Sequence, residues 1–176
     1  MRTVRPLAGE PLAMDLLNTV WTASRGPVDA LADPADLRTW LDLEGIDSGA
    51  TEPVQAALLR ARAAIRAHAE ASHSGSARAA LNEVLRWGFR RQAVTADGVQ
   101  TEQTVEDPAR WAAWLAATNY VDLLARDPDR VRQCAHQACV LWFYDGSTRG
   151  GRRWCSMTGC GNRAKAARHY ARTRTI

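Results

Sequence analysis

A mainly α fold is predicted: a helical N-terminal domain with one β-hairpin, then a small C-terminal module built as a knuckle, a β-hairpin and a helix. Three observations predict it. Apolar residues recur at helical spacing through most of the first 127 positions, with Pro and Gly at the capping sites. Asp97-Gly98 sits between runs of alternating β-compatible residues. All four cysteines fall in the last third of the chain, as Cys134-x4-Cys139 and Cys155-x4-Cys160 with fifteen residues between the pairs.

Taken in order, Pro11 to Ser24 carries Leu12, Leu16 and Val20, and Leu17 with Trp21, at the spacing of a first helix. Asp33-Pro34 reads as an N-cap followed by proline at the first helical position. The helix it opens buries Leu37, Trp40 and Leu41 and stops at Gly45. Thr51-Glu52-Pro53 opens a longer one with Val54, Leu58, Ala61 and Ile65 on one face, fraying through His68, Ser72 and His73 before Gly75. A fourth is expected from Ala77 to Trp87 around Leu81, Val84 and Leu85. From Arg90 the period changes, and Gln92 and Val94 face Gln100, Glu102 and Thr104 across the Asp-Gly turn. Asp107-Pro108 repeats the capping signature ahead of Trp111, Trp114, Leu115, Thr118, Val121 and Leu124. Asp127-Pro128 breaks or restarts that helix, and the chain divides there into a body of residues 1–127 and a module of residues 128–176. Trp21, Trp40, Trp87, Trp111 and Trp114 are expected in the core of the body, and Trp142 and Trp154 between the module's hairpin and its helix.

Charge separates the same two parts. Residues 1–128 hold 13 Arg against 17 Asp or Glu, whereas residues 129–176 hold 10 Arg or Lys against 2 Asp. A basic tail on an acidic body points to a polyanionic partner for the tail. No apolar run approaches the ~18–20 residues of a membrane span, and the first ten residues lack the apolar stretch of a secretory signal. The expected compartment is therefore the reducing cytoplasm, where paired cysteines are metal ligands rather than disulfides. A disulfide framework with three pairings is the rival. The chain has no catalytic-triad motif, HExxH, phosphate loop or GxGxxG, and His68 and His73 read as isolated and exposed, so it is not expected to be an enzyme.

Four cysteines at symmetric spacing suit one tetrahedral zinc ion. Val140 to Tyr144 is a β-forming run, and Arg152 to Cys155 is expected to pair with it across the turn-rich segment 145–151. Cys134 and Cys139 would then form a knuckle, Cys155 would leave the hairpin, and Cys160 would enter the last helix. That is the logic of a treble-clef-like site with x4 in place of the common x2 loops. A module of this size cannot hold itself together by burial alone, so the metal is structural. Four thiolates leave no coordination position for water and no catalytic role for the ion. Arg132, Arg153 and Arg163, with the backbone N–H groups of Gly159 and Gly161, are placed to offset the negative charge. His136, inside the first loop, is the rival ligand.

On the terminal helix Lys165, Arg168, His169 and Arg172 recur at i, i+3, i+4 and i+7 and share a face. With Arg149, Arg152, Arg153 and Arg163 they form the candidate nucleic-acid surface, and no acidic residue follows Asp145. Such density suits phosphate contacts, which give affinity without sequence preference; a solvated basic helix is the plainer alternative. In the first helix Asp15, Asn18 and Thr19 share one face. They form either a pocket for a small-molecule effector or a buried polar network that satisfies neighbouring backbone, and the second is favoured.

The segment Arg130-Val131-Arg132-x-Cys134-x4-Cys139, Phe143-x-Asp145-x-Ser147, Arg152-Arg153-Trp154-Cys155-Ser156-Met157-x-x-Cys160-Gly161-Asn162-Arg163-x-Lys165 resembles the CGNR zinc-finger family, named for the tetrapeptide at 160–163. Leu12-Ala13-Met14-Asp15-Leu16-Leu17-Asn18-Thr19 is similar to the opening of the ABATE domain that precedes such fingers. The resemblance implies a bacterial, stress-linked transcription regulator with a helical domain and a DNA-binding finger holding one structural zinc. Double-stranded DNA is the expected partner, with room for an effector and a homodimer. The alternative function is a zinc-stabilised protein-interaction or RNA-binding module.

Overall fold

The computed structural model describes residues 5–173, with the side chains of 168, 169 and 171–173 outside that description. The elements in chain order are α1 (Leu12–Leu17), β1 (Val20–Ala23), β2 (Gly26–Asp29), α2 (Pro34–Leu43), α3 (Glu52–Glu70), α4 (Gly75–Leu85), β3 (Gly88–Thr95), β4 (Gly98–Val105), α5 (Trp111–Arg126), β5 (Val131–Gln133), β6 (Trp142–Tyr144) and α6 (Asn162–Thr173). The strands form three separate antiparallel pairs, β1 with β2, β3 with β4 and β5 with β6. The chain is mainly α with small hairpins, and the four cysteines lie together near its C-terminal end. No helix among the described residues is long and apolar enough to cross a membrane.

Two compact units emerge. One runs Ala30–Val121; the other joins the described residues up to Asp29 with those from Asp122 onward. The division falls within α5 and cuts the chain differently from the boundary expected at 127/128. The sequence shows composition along the chain and cannot show that its opening residues return to its end.

In the unit Ala30–Val121, Asp33 caps α2 by accepting the backbone N–H groups of Ala35 and Asp36 at 2.8 and 3.2 Å. Leu37, Trp40 and Leu41 of α2, Val54, Leu58 and Ile65 of α3, and Leu81 and Val84 of α4 are buried. Helix α5 buries Ala112, Ala113, Ala116, Ala117, Trp114 and Tyr120. The expected apolar stripe was set too far around this helix: Val121 is exposed, and alanines form the tight face. Trp87 is half-buried, with the guanidinium groups of Arg60 and Arg110 at 5.5 and 5.2 Å from its ring. His68 is not isolated: its Nδ1 lies 3.0 Å from the hydroxyl of buried Tyr120, whose pKa burial pushes up to about 12. Hairpin β3–β4 forms where Asp97-Gly98 places it, with Gly98 at φ 112°. A side chain at Gly88 would meet the Thr104 carbonyl at 2.5 Å, so glycine is required there.

In the other unit the first helix is shorter than its periodicity suggests. It ends at Leu17, and Val20–Ala23 is a strand that turns back at Gly26, with φ 121°. β-Branched residues favour that extension, and Asn18 is committed elsewhere. Its side-chain nitrogen donates to the Trp142 carbonyl at 2.9 Å, and its side-chain oxygen accepts the Trp142 N–H at 2.8 Å. Glu10, on the other side of α1, accepts the Tyr144 N–H at 3.1 Å. Residues 142 and 144 of β6 face away from β5, so two side chains beside α1 complete a strand edge that would otherwise be unpaired.

Asn18→Ala should leave the two buried backbone groups of Trp142 unpaired and lower unfolding stability by about 1–3 kcal/mol. A denaturation midpoint equal to wild type would show that water replaces the amide without cost.

Candidate metal centre

The knuckle lies at the tip of the hairpin formed by β5 and β6, in register Val131↔Tyr144, Arg132↔Phe143 and Gln133↔Trp142. The expected pairing of Val140–Tyr144 with Arg152–Cys155 does not occur. Asp145 is the reason. It is fully buried, and its carboxylate accepts the Ser147 N–H and hydroxyl at 3.0 and 2.6 Å and the Arg152 N–H at 2.8 Å. The loop 145–151 therefore folds around one carboxylate and turns the following chain away from β6. Arg130 braces the loop by donating to the carbonyls of Asp145 and Ser147, both at 2.7 Å, and Arg132 donates to that of Gly150 at 2.8 Å. Beyond the loop, the Arg153 carbonyl accepts the Ala135 N–H at 2.9 Å, which brings Cys155 against the knuckle.

A five-residue π-helical turn, Met157–Gly161, carries Cys160 into α6. Ser156 starts it by accepting the Gly159 N–H at 3.2 Å on its hydroxyl. Each residue of the tetrapeptide 160–163 then has a physical task. Cys160 supplies sulfur. Gly161 has no room for a side chain, since a Cβ would stand 2.9 Å from the Met157 sulfur. Asn162 donates to the Thr158 carbonyl at 3.3 Å, and Arg163 donates to the Cys160 sulfur at 3.1 Å.

The four sulfurs lie within 4.8 Å of one another. Cys139 and Cys155 are 3.8 Å apart, and Cys155 and Cys160 are 3.6 Å apart. Tetrahedral zinc with ~2.3 Å bonds to sulfur requires edges of about 3.8 Å. The donor set therefore fits one structural zinc ion, and its sulfurs are too far apart for the ~2.05 Å bond of the rival disulfides. When bound, that ion supplies four metal–thiolate bonds that close the module. His136 is not a ligand: its Nδ1 accepts the Ala138 N–H at 3.3 Å and supports the knuckle from within.

Ionisation of the cluster is uneven. The hydrogen bond from the Cys155 thiol pulls Cys139 down from 9.0 to about 5. Cys155 is pushed up, first by that same hydrogen bond and then by burial, and Cys160 is pushed up chiefly by burial. A bound dication favours the ionised form of its thiol ligands and so opposes the rise at Cys155 and Cys160. Charge compensation from the protein is narrower than expected. Arg163 touches a sulfur, the Cys155 N–H reaches the Cys134 sulfur at 3.4 Å, and the Leu141 N–H favours ionised Cys139. Arg132 is spent on the loop, and Arg153 lies over Trp154 at 5.2 Å. The N–H groups of Gly159 and Gly161 go to Ser156 instead.

The expected nucleic-acid residues separate in the same way. Arg149, Arg153, Arg163 and Lys165 are exposed. Arg152 is turned inward: it pairs with Glu10 at 2.8 Å, donates to the Cys155 carbonyl at 2.6 Å and covers the Phe143 ring at 4.3 Å. The side chains of Arg168 and Arg172 lie outside the described residues. Asp15, Asn18 and Thr19 are fully buried. Asp15 pairs with Arg5 and accepts the Gly9 N–H at 3.0 Å, while the Thr19 hydroxyl donates to the Leu16 carbonyl at 2.7 Å. Backbone groups and one arginine meet these side chains, an arrangement suited to holding the chain together. Glu10 and Asp145 went unassigned in the sequence. Their signal, an isolated acid in each of two segments rich in apolar or basic residues, was present but nonspecific.

Comparison with known families places two matches on the chain. The CGNR zinc finger covers residues 130–173. ABATE, described as "Putative stress-induced transcription regulator", covers residues 10–136 and so includes Cys134. A search of curated proteins found no match.

Two outcomes are expected. Elemental analysis should find one zinc per chain, and a chelator should unfold the module, lowering helix content in circular dichroism; folded protein without metal would contradict the structural role. Hydrogen bonds from the Ser147 hydroxyl, ahead of those from backbone, hold the Asp145 carboxyl below its usual 3.8. Its stabilising effect is therefore complete above that value and lost as pH falls through the lowered one. Asp145→Asn should unfold at lower urea than wild type near neutrality, and the gap should narrow in acid while both remain folded. Both proteins keep the same cysteines, so ligand protonation cancels in the comparison.

Proposed function

The chain belongs to the ABATE family, and from this premise we propose that it is a DNA-binding transcription regulator whose zinc finger grips the phosphate backbone of duplex DNA. What carries the reading is the one-sided charge of the finger. Arg149, Arg153, Arg163 and Lys165 stand exposed on a module whose last acid, Asp145, is completely buried. Arg163 is anchored by a ligand sulfur, so the metal and the cationic surface are one construction. The terminal helix extends the charge through Arg168 and Arg172. On this reading the metal shapes and the arginines bind, and no catalytic step is involved, because four thiolates fill a tetrahedral ion. A bacterial cytoplasm is the fitting compartment, and sensing of a small effector or pairing of two chains falls to the remainder of the protein.

Binding of labelled random-sequence duplex DNA, followed by anisotropy across a salt series, tests the reading. The logarithm of the affinity should fall linearly with the logarithm of salt concentration, and a chelator should abolish binding. Affinity that ignores salt, or that survives removal of the metal, contradicts it. Competition by duplex RNA at equal or greater affinity would move the assignment to RNA.

A further inference from the structure

A groove of about 420 Å³ runs between the knuckle and α6, lined by His136, Arg153, Trp154, Arg163, Ala164 and Ala167 among others. We propose that this groove seats one sugar–phosphate unit of a nucleic-acid backbone; the proposal rests on the nucleic-acid reading above and gives it a site.

Two guanidinium groups reach the groove from opposite elements. Arg153 comes from the strand-like approach to Cys155, and its guanidinium lies 5.2 Å from the centroid of the Trp154 ring. Stacking of this kind restrains the long side chain while its N–H edge stays open to an anion. No carboxylate pairs with Arg153 among the described residues. Arg163 comes from α6 and is held by one nitrogen on the Cys160 sulfur at 3.1 Å. His136 adds a donor. Because its Nδ1 accepts the Ala138 N–H, the ring hydrogen of the neutral form sits on Nε2. Among the described residues no acid lines the groove.

Shape argues for more than a bare ion. The volume falls within the ~300–1,000 Å³ of small-ligand pockets. Ala164 and Ala167 lie one helical turn apart, and their small side chains leave the helix surface open to close approach. Trp154 supplies an apolar wall of the size of a sugar ring. Two cationic forks, an aromatic wall and an alanine floor match a phosphate joined to a sugar. None of these groups distinguishes one base from another, so the seat contributes affinity and register but not sequence.

The full-length, zinc-loaded protein is compared with Arg153→Gln, Ala167→Leu and Arg149→Gln on two unrelated duplex DNA sequences over a salt series. Zinc content and thermal midpoint are measured for each. Arg153→Gln should weaken both duplexes by the same factor and reduce the salt slope by about 1. Ala167→Leu, which fills the groove without altering charge, should weaken binding as well. Arg149 does not line the groove, and its variant should do less than Arg153→Gln. If Arg153→Gln matches Arg149→Gln, or if Ala167→Leu binds like wild type, the groove is not the seat although the nucleic-acid reading stands. If wild type itself shows no salt-dependent binding, that reading fails and the seat falls with it. Should Arg153→Gln lose zinc, Ala167→Leu decides.

Discussion

Four thiolates within 4.8 Å of one another repel one another, and a dication among them offsets that repulsion. The rest of the C-terminal module depends on that electrostatic constraint. Its strands are three residues long, and its segments are joined by a turn-rich loop and a π-helical turn. Elements of that length bury too little apolar surface to hold one another in place. The metal joins the tip of one hairpin to the π-helical turn that leads into the last helix, and the local hydrogen bonds aim the sulfurs. Hence Asp145, Ser156 and Gly161 matter although none is a ligand. Each sets the direction of chain that delivers one.

The same construction consumes part of the charge that the sequence advertises. Arg130 and Arg132 brace the loop around Asp145, and Arg152 closes against Glu10 and Phe143. In this module arginine works partly as an internal strut, where a planar fork can serve several carbonyls at once. The cations left at the surface are fewer than a count suggests, but they are better placed. Arg163 is fixed by sulfur and Arg153 by an indole, so less side-chain freedom is lost when either meets an anion.

The metal ligands were legible from their spacing, as were the helix capped by Asp33, the long α3, the helix around Leu81 and Val84, and the Asp97-Gly98 hairpin. These features rest on local chemistry, in caps, turns and periodicity that act within a few residues. What could not be read depends on partners distant in sequence. Val20–Ala23 continues the helical stripe of its neighbours, yet it is a strand. Strand β5 is three unremarkable residues whose pairing is set by the collapse of a loop fourteen positions later. Asn18 was recognised as a buried polar candidate, but nothing nearby indicates that its amide completes the edge of β6. The alanine face of α5 was missed because periodicity weights large residues, whereas close helix packing selects small ones.

The tie between Asn18 and Trp142 spans 124 residues, with the unit Ala30–Val121 inserted between the partners. During synthesis the first helix leaves the ribosome long before the strand it completes. At ~5–20 residues per second the wait is roughly 6–25 seconds. Over that interval Leu12, Leu16 and Leu17 have no native cover from the C-terminal strand, and Asp15 and Asn18 keep their hydration. The inserted unit, continuous in sequence from Ala30 to Val121, is complete on the ribosome before that strand is made. Closure of the first unit is thus a late, long-range event that depends on metal supply and on an opening segment kept from aggregating until the end of the chain arrives.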